Sequence, residues 1–433
     1  MTPQLQQKKL EQKFINLFTI LPMFTYLFIE IFAAIAGTIA LAVFILHVIE
    51  LKETKTILKK KRFWIPLAIF LVMVIIGLFG NKTYAPSFAM PAWMHTHAPE
   101  GPAASLPFFS VIDFFKNANR FEKVDDIGAD PNAVPPATNR TEAQNVYFEL
   151  TAKEVIAEVA DGISFNYWTY NGQTPGPMLR ARVGDTITLK LTNDASSLHD
   201  HNIDLHAVTG PGGGAAVTHV APGESKTFTW KALNPGLYIY HCAMPNVSTH
   251  NSHGQYGLIL IEPLEGMPAV DKEFYLVQGE LYTQGKLGKQ GLVPFDSEAL
   301  LDGIPNYVTF NGKIESTPRM SAEVGDTIRV YVGNGGVNLI SSFHLIGEIF
   351  DRVYPEAAIG SDIHTNVQTT TVLPGGASIV EFTVDVPGKY LFVDHALARM
   401  NKGAWAVLDV EGEDQPEIYH TNELLETTTI HHH

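Results

Sequence analysis

Cysteine is nearly absent from this chain: Cys242 is the only one among 433 residues. An intramolecular disulfide is therefore impossible, and so is covalent haem attachment through Cys-x-x-Cys-His, which needs two. The redox compartment cannot be read from bridges. An excess of positive charge is missing as well. Thirty Lys and Arg against 45 Asp and Glu leave a net charge of −15, which argues against nucleic acid or an anionic membrane surface as partner. The glycine run Gly212 to Gly214 lacks the Lys-Ser/Thr that would follow in a phosphate-binding loop, so a tight turn is the better reading. The terminal His431, His432 and His433 read as the remains of a tag and carry no function here.

Apolar sequence is concentrated at the N-terminus. Phe14 to Ile49 is almost wholly apolar, and Phe63 to Phe79 forms a second run. A spanning helix takes about 20 apolar residues, so spans are expected at about 26–49 and 63–80, within a membrane region covering 1–83. The connecting loop carries Lys52, Lys55, Lys59, Lys60, Lys61 and Arg62, which marks it as cytoplasmic and sends the rest of the chain to the extracytoplasmic face. Lys8, Lys9 and Lys13 pull the other way, so a three-span arrangement stays open. Glu30 and His47 are either intramembrane functional groups or interfacial residues at helix boundaries. Residues 84–145, rich in Pro, Ala and Gly, read as a linker with a short helix at Val111 to Asn119 and with His95 and His97 solvated.

The remainder reads as all-β. Runs of Val, Thr and Tyr are broken about every 8–12 residues by Gly, Pro and Asn. It also contains itself twice. NGQTPGPMLRARVGDTITLKLTN from Asn171 is echoed by NGKIESTPRMSAEVGDTIRVYVGN from Asn311. VAPGESKTFTW from Val220 is echoed by VLPGGASIVEFTV from Val372, and NPGLYIYHCA from Asn234 by VPGKYLFVDHA from Val386. Three echoes in the same order imply two tandem β-sandwiches, 146–265 and 266–415, of Greek-key type, followed by a tail at 416–433.

The single cysteine lies in YIYHCAMPNVSTHNSHGQ, directly after His241 and ahead of His250, with HNIDLH (His201 to His206) upstream. One thiolate and two imidazoles make a trigonal site that suits an electron-transfer copper. The two remaining histidines can hold a second metal, one peptide bond away from the first, and such wiring means redox catalysis. For any one of these histidines alone a structural role would be the better reading; as a set they have no economical structural explanation.

Two sandwich domains carrying HNIDLHAVTGPGGG, YHCAMPNVSTH, FHLIGEIFDRVYPE and FVDHALARMNKGAW resemble the copper-containing nitrite reductases, whose domains are cupredoxins. The resemblance covers about 145–411 and leaves the N-terminal runs outside. It implies two coppers per subunit. The type 1 copper would be held by His201, Cys242 and His250, through a thiolate of lowered pKa. The type 2 copper would be held by His206, His241 and, from a neighbouring subunit of a homotrimer, His395. Asp204 and His344 match the residues that hand protons to nitrite, and Ile346 the apolar residue that crowds it. Where the family has an axial methionine at type 1 copper, this chain has Gln255, with Met244 as a remote substitute; a harder amide oxygen should lower the potential. His199, His219 and His253 have no family role and read as solvated or supporting. Asp200 and Asp394 read as turn residues that could orient imidazoles.

The resulting expectation is a membrane-anchored nitrite reductase making nitric oxide outside the cytoplasm. Its electrons would come from membrane quinol or from a soluble cupredoxin or cytochrome c, and the helices either serve that donor or only anchor. A multicopper oxidase is disfavoured because Ala243 follows Cys242 where that family needs His-Cys-His. A non-catalytic copper shuttle would hold one copper and would not need His344 and His395.

Overall fold

The computed structural model describes residues 35–46, 48–49, 61–79, 121–315 and 319–421. These fall in two compact units. The helical unit contains α1 (35–46, continuing at 48–49) and α2 (Lys61–Phe79). A side chain at Gly37 would stand 3.4 Å from Met73 Cβ, so the missing Cβ lets the two helices approach closely. Outward they show Ile35, Ile39, Ile45, Leu46, Trp64, Ile65, Ile69 and Leu71. Among the described residues no helix is long and apolar enough to cross a membrane. The backbone of α2 runs 19 residues, but its side chains are described only over 64–74. At about 1.5 Å per residue that stretch covers roughly half of a ~30 Å hydrocarbon core. The two expected spans are thus not recovered as such. Glu30, His47, His95, His97 and the helix expected at Val111 to Asn119 lie outside the described residues.

The β unit is two sandwiches in tandem. In the first, one sheet has the order β11-β3-β2-β5-β7 with β1 on β2, and faces the sheet β4-β9-β8-β6. Its strands are β1 (Glu122–Lys123), β2 (Asn145–Ala160), β3 (Ile163–Tyr170), β4 (Leu179–Arg182), β5 (Thr186–Asn193), β6 (Asp204–Leu205), β7 (Ser225–Lys231), β8 (Gly236–His241) and β9 (Tyr256–Glu262), with β11 (Gly291–Leu292) lent by the second half. In the second, β12-β10-β14-β19-β16-β17 faces β13-β21-β20-β15-β18. These are β10 (Lys272–Leu281), β12 (Tyr307–Phe310), β13 (Met320–Glu323), β14 (Thr327–Asn334), β15 (Ser341–Ile346), β16 (Phe350–Tyr354), β17 (His364–Val367), β18 (Thr369–Val372), β19 (Ala377–Thr383), β20 (Gly388–Asp394) and β21 (Trp405–Glu411). Between β8 and β9 runs the short helix α3 (Val247–Ser252), and after β11 the short helix α4 (Ser297–Asp302).

The sequence repeat is a structural repeat. Gly184 and Gly325 sit at φ +93° and +95°, and the aspartate after each accepts a backbone N–H three residues back, Arg182 N at 2.8 Å and Glu323 N at 2.9 Å. Inward-facing apolar side chains fill each sandwich: Leu189, Leu191, Leu205 and Ile259 in the first, Val330, Phe343, Leu345 and Phe392 in the second. A third cluster joins the halves, with Ile239 and Leu258 against Tyr275, Val277, Tyr331 and Ile379. Beside it Arg180 pairs with Glu262 (2.6 Å) and Glu273 (2.7 Å), and Arg329 with Glu273 (2.9 Å) and Glu381 (2.6 Å). Buried guanidiniums are tolerated because each is matched by carboxylates.

The supposed linker is structured over its last part. Phe121, Ile127 and Ala129 are buried, β1 pairs with β2, and Tyr275 N donates to Pro131 O at 3.0 Å. Residues 121–144 therefore strap the two sandwiches, which their Pro-rich composition hid. Of the tail, 416–421 is described.

Candidate metal centres

Four positions converge at one end of the first sandwich. His201 lies in the loop before β6 and is held there by paired backbone hydrogen bonds with Val220. Cys242 follows β8 directly, and His250 is carried by α3. Cys242 Sγ is 3.3 Å from His250 Nδ1 and 4.0 Å from His201 Nδ1, and all three residues are buried. Nitrogen and sulfur ligands on one metal stand about 3.6–3.8 Å apart, given bonds of about 2.0–2.1 and 2.3 Å, so the trio fits a metal of this size. Gln255 Oε1 points at the same space, 3.3 Å from His250 Nδ1, while its Nε2 is buried without a hydrogen-bond partner among the described residues.

Burial pushes the Cys242 thiol up to about 12. The lowered thiol pKa expected from the sequence is thus corrected: the dry pocket favours the protonated form, and copper itself must displace the proton. Asn202 holds the strand end, its Oδ1 accepting from Ala243 N at 2.7 Å. Burial also lowers the pKa of His250 and His201, which favours the uncharged ring that can ligate a metal.

A second cluster is Asp204, His206 and His241. The β6–β8 register sets Asp204 opposite His241, and the Nε2 atoms of His206 and His241 are 3.1 Å apart. Two imidazoles on one metal have nitrogens about 3.3 Å apart at tetrahedral angles. Burial, then the neighbouring His241, lowers the pKa of His206, opposed by Asp204 and by a hydrogen bond to the Gly375 backbone. His241 Nδ1 is 2.9 Å from Cys242 O, which leaves Nε2 as the metal-facing nitrogen. The glycine run acts here. A Cβ at Gly213, whose φ is +55°, would run into Asp204 Oδ1, and one at Gly214 into the Phe228 ring at 2.6 Å. Glycine is what lets the loop close over Asp204.

The second sandwich contributes a separate pair. His344 on β15 and His395 just after β20 have ring centroids 5.2 Å apart, and His395 N donates to Ser342 O at 2.8 Å. His344 Nδ1 lies 2.5 Å from Gln368 O; a carbonyl only accepts, so Nδ1 carries the proton and Nε2 is free. Ile346, on the same strand, is 42% exposed. Neither His344 nor His395 joins the two three-residue clusters.

The remaining residues are sorted by contact. His253 is buried rather than solvated and stacks on Trp168, centroids 4.3 Å apart. His219 pairs with Asp200 at 2.7 Å. Among the described residues Asp394 orients no imidazole; it holds Arg399 (2.6 Å) and Ser342 N. Two residues escaped the sequence reading. Trp168 lies over the first cluster, 4.6 Å from the His250 ring. Glu154 is a buried carboxylate beside His199 and His201. Burial raises its pKa, but the neighbouring His199 and His201 imidazoles outweigh that and hold it below the ordinary carboxylate range. The clue was parity on β2, where Leu150, Ala152 and Glu154 share the inner face.

A sequence model described as multicopper oxidase matches residues 151–266, within the first sandwich. A copper-containing nitrite reductase of Neisseria gonorrhoeae is 46% identical over 361 residues, 82% of this chain and 91% of the relative. One from Neisseria meningitidis is 50% identical over 308 residues, 70% of this chain and 79% of the relative. The solved copper nitrite reductase of Nitrosomonas europaea matches with TM-score 0.56 and 31% identity, covering 63% of this chain and 96% of that one. A solved multicopper oxidase superposes comparably, at TM-score 0.53 and 26% identity. With the cysteine–imidazole cluster and its neighbouring histidines in place, the chain belongs to the copper-containing nitrite reductases, copper-dependent oxidoreductases that form nitric oxide.

Proposed function

We propose that the type 1 copper is held by His201, Cys242 and His250 with Gln255 as axial ligand, and that the type 2 copper is held by His206 and His241 together with His395 of a neighbouring subunit. The observation that carries this is that one chain offers two incomplete halves: Asp204, His206 and His241 in the first sandwich, His344 and His395 in the second. A homotrimer in which each second sandwich faces the next first sandwich completes them. Bound copper supplies one electron and an open coordination position to nitrite.

The chain's own residues manage the protons. Nitrite, one electron and two protons give nitric oxide and water. Asp204 Oδ1 is pressed against Gly213 and aimed toward the His206–His241 pair. His344 is anchored through Nδ1–H, so Nε2 is the atom that gains or releases a proton. Ile346 gives the pocket an apolar wall that limits how nitrite lies. A copper shuttle without catalysis would carry one copper per chain; two per chain is expected, by metal analysis.

The anchor and donor belong to the same proposal. The exposed apolar side chains of α1 and α2 support a bilayer-associated N-terminus, with the copper sandwiches on the extracytoplasmic face. Quinol as direct donor fits a low-potential type 1 site; a soluble cupredoxin or cytochrome c is the other source. The deciding experiment is anaerobic nitric oxide release from nitrite by copper-loaded protein in lipid with quinol as sole reductant. Turnover lost on removal of residues 1–80 assigns the helices to donor oxidation. Turnover only with an artificial soluble donor makes them an anchor.

A further inference from the structure

Glu154 is a fully buried carboxylate on the inner face of β2, beneath the loop that carries His201. Its Oε1 accepts hydrogen bonds from Leu198 N (2.7 Å) and His199 N (2.8 Å) and lies 3.1 Å from His199 Nδ1. The same oxygen stands 3.6 Å from His201 Nε2. Two buried atoms here have no hydrogen-bond partner among the described residues, Glu154 Oε2 and His201 Nε2, and they belong to side chains that stand 3.6 Å apart. Fully buried polar atoms without partners are rare and call for a reason.

The reason follows from the other end of the ring. His201 Nδ1 faces the Cys242 sulfur. An imidazole that ligates through Nδ1 while neutral keeps its proton on Nε2. That N–H is sealed from water, with Trp168 edge-on at 5.9 Å, and the Glu154 carboxylate is the acceptor at hand. Carboxylate, imidazole and metal in series fix the tautomer, hold the ring and make it a stronger donor.

We propose that Glu154 is a positioning residue for the type 1 site, accepting the Nε2–H of His201 and lowering the reduction potential through its negative charge. The inference rests on the assignment of His201 as a type 1 ligand. It also gives the loop clamp a purpose: the backbone N–H groups of Leu198 and His199 hold the carboxylate in place before copper arrives.

The test is the midpoint potential of the copper-loaded full chain, read on the thiolate-to-copper absorption band. Glu154→Gln keeps an oxygen for Leu198 N and His199 N and removes the charge. It is expected to favour the reduced state about tenfold, an upward shift of about 59 mV for one electron, with copper content unchanged. Glu154→Asp keeps the charge but withdraws it by one methylene and is expected between wild type and Glu154→Gln. A Glu154→Gln protein that retains the band and titrates at the wild-type potential overturns the proposal. If Glu154→Gln does not fold, Glu154→Asp decides: a raised potential supports the role, an unchanged one overturns it. Failure of the underlying assignment looks different, since His201→Ala would then leave the band intact.

Discussion

At the residue scale the informative position is Gln255. Its side chain is buried, with the amide oxygen 3.3 Å from His250 Nδ1, and it is the proposed axial ligand of the type 1 copper. A hard oxygen stabilises the oxidised metal more than sulfur does. Gln255→Met is therefore expected to raise the type 1 potential by on the order of a tenfold step in the reduction equilibrium, about 59 mV, in a redox titration. A second residue prediction concerns acid. Burial, opposed by a hydrogen bond to Thr249 O, brings the His253 pKa down to about 4. The folded value lies below the unfolded value of about 6.5, so the neutral ring contributes stability that is complete above pH 6.5 and is lost as pH falls toward 4. His253→Phe, which keeps the stack on Trp168, is expected to remove up to about 3 kcal/mol of this acid sensitivity. Urea denaturation of both proteins at pH 7 and pH 4.5 measures the difference. The contrast between these residues shows what was legible. His241, Cys242 and His250 are local in sequence and chemically unmistakable together. Glu154 is 47 positions from His201 and looks like any strand glutamate until β3 and the copper loop fold over it.

At the scale of elements, short irregular pieces place the chemistry. Strand β6 is two residues long, yet its pairing with β8 sets Asp204 opposite His241. The Pro211–Val217 turn then closes on Asp204 because three successive glycines take positive φ. Gly213→Ala would force a side chain into the carboxylate and strain a φ of +55°. We expect nitrite turnover to fall on the order of 10²-fold, the scale of a lost proton-transfer group, while the type 1 absorption stays. Equal loss of the absorption would mean that the turn supports the whole loop rather than Asp204. The sequence repeat was readable here because Val-Gly-Asp-Thr-Ile encodes one turn twice. The strap at 121–144 was not, since Pro-rich composition reports flexibility only when nothing packs on it. The apolar N-terminal runs fold as helices over the described residues, but a helix states nothing of what surrounds it.

At the scale of the molecule, the proposed type 2 site is divided between copies of the chain. Within a chain the two sandwiches are joined by a shared apolar cluster and by the Arg180–Glu273–Arg329–Glu381 ion pairs, so His344 and His395 keep a fixed offset from His206 and His241. On the proposed assignment, such rigid halves complete each other through a second copy. This makes a complementation experiment decisive. His206→Ala and His395→Ala each remove one proposed ligand, and homogeneous assemblies of either are expected to be nearly inactive. Mixed assemblies, refolded together, contain interfaces in which an intact first sandwich from the His395→Ala chain meets an intact second sandwich from the His206→Ala chain. Those interfaces are expected to recover type 2 copper and nitric oxide formation, to between a tenth and a half of the wild-type rate by the fraction of intact pairings at about equal mixing. A site closed within one chain would give no recovery at any ratio.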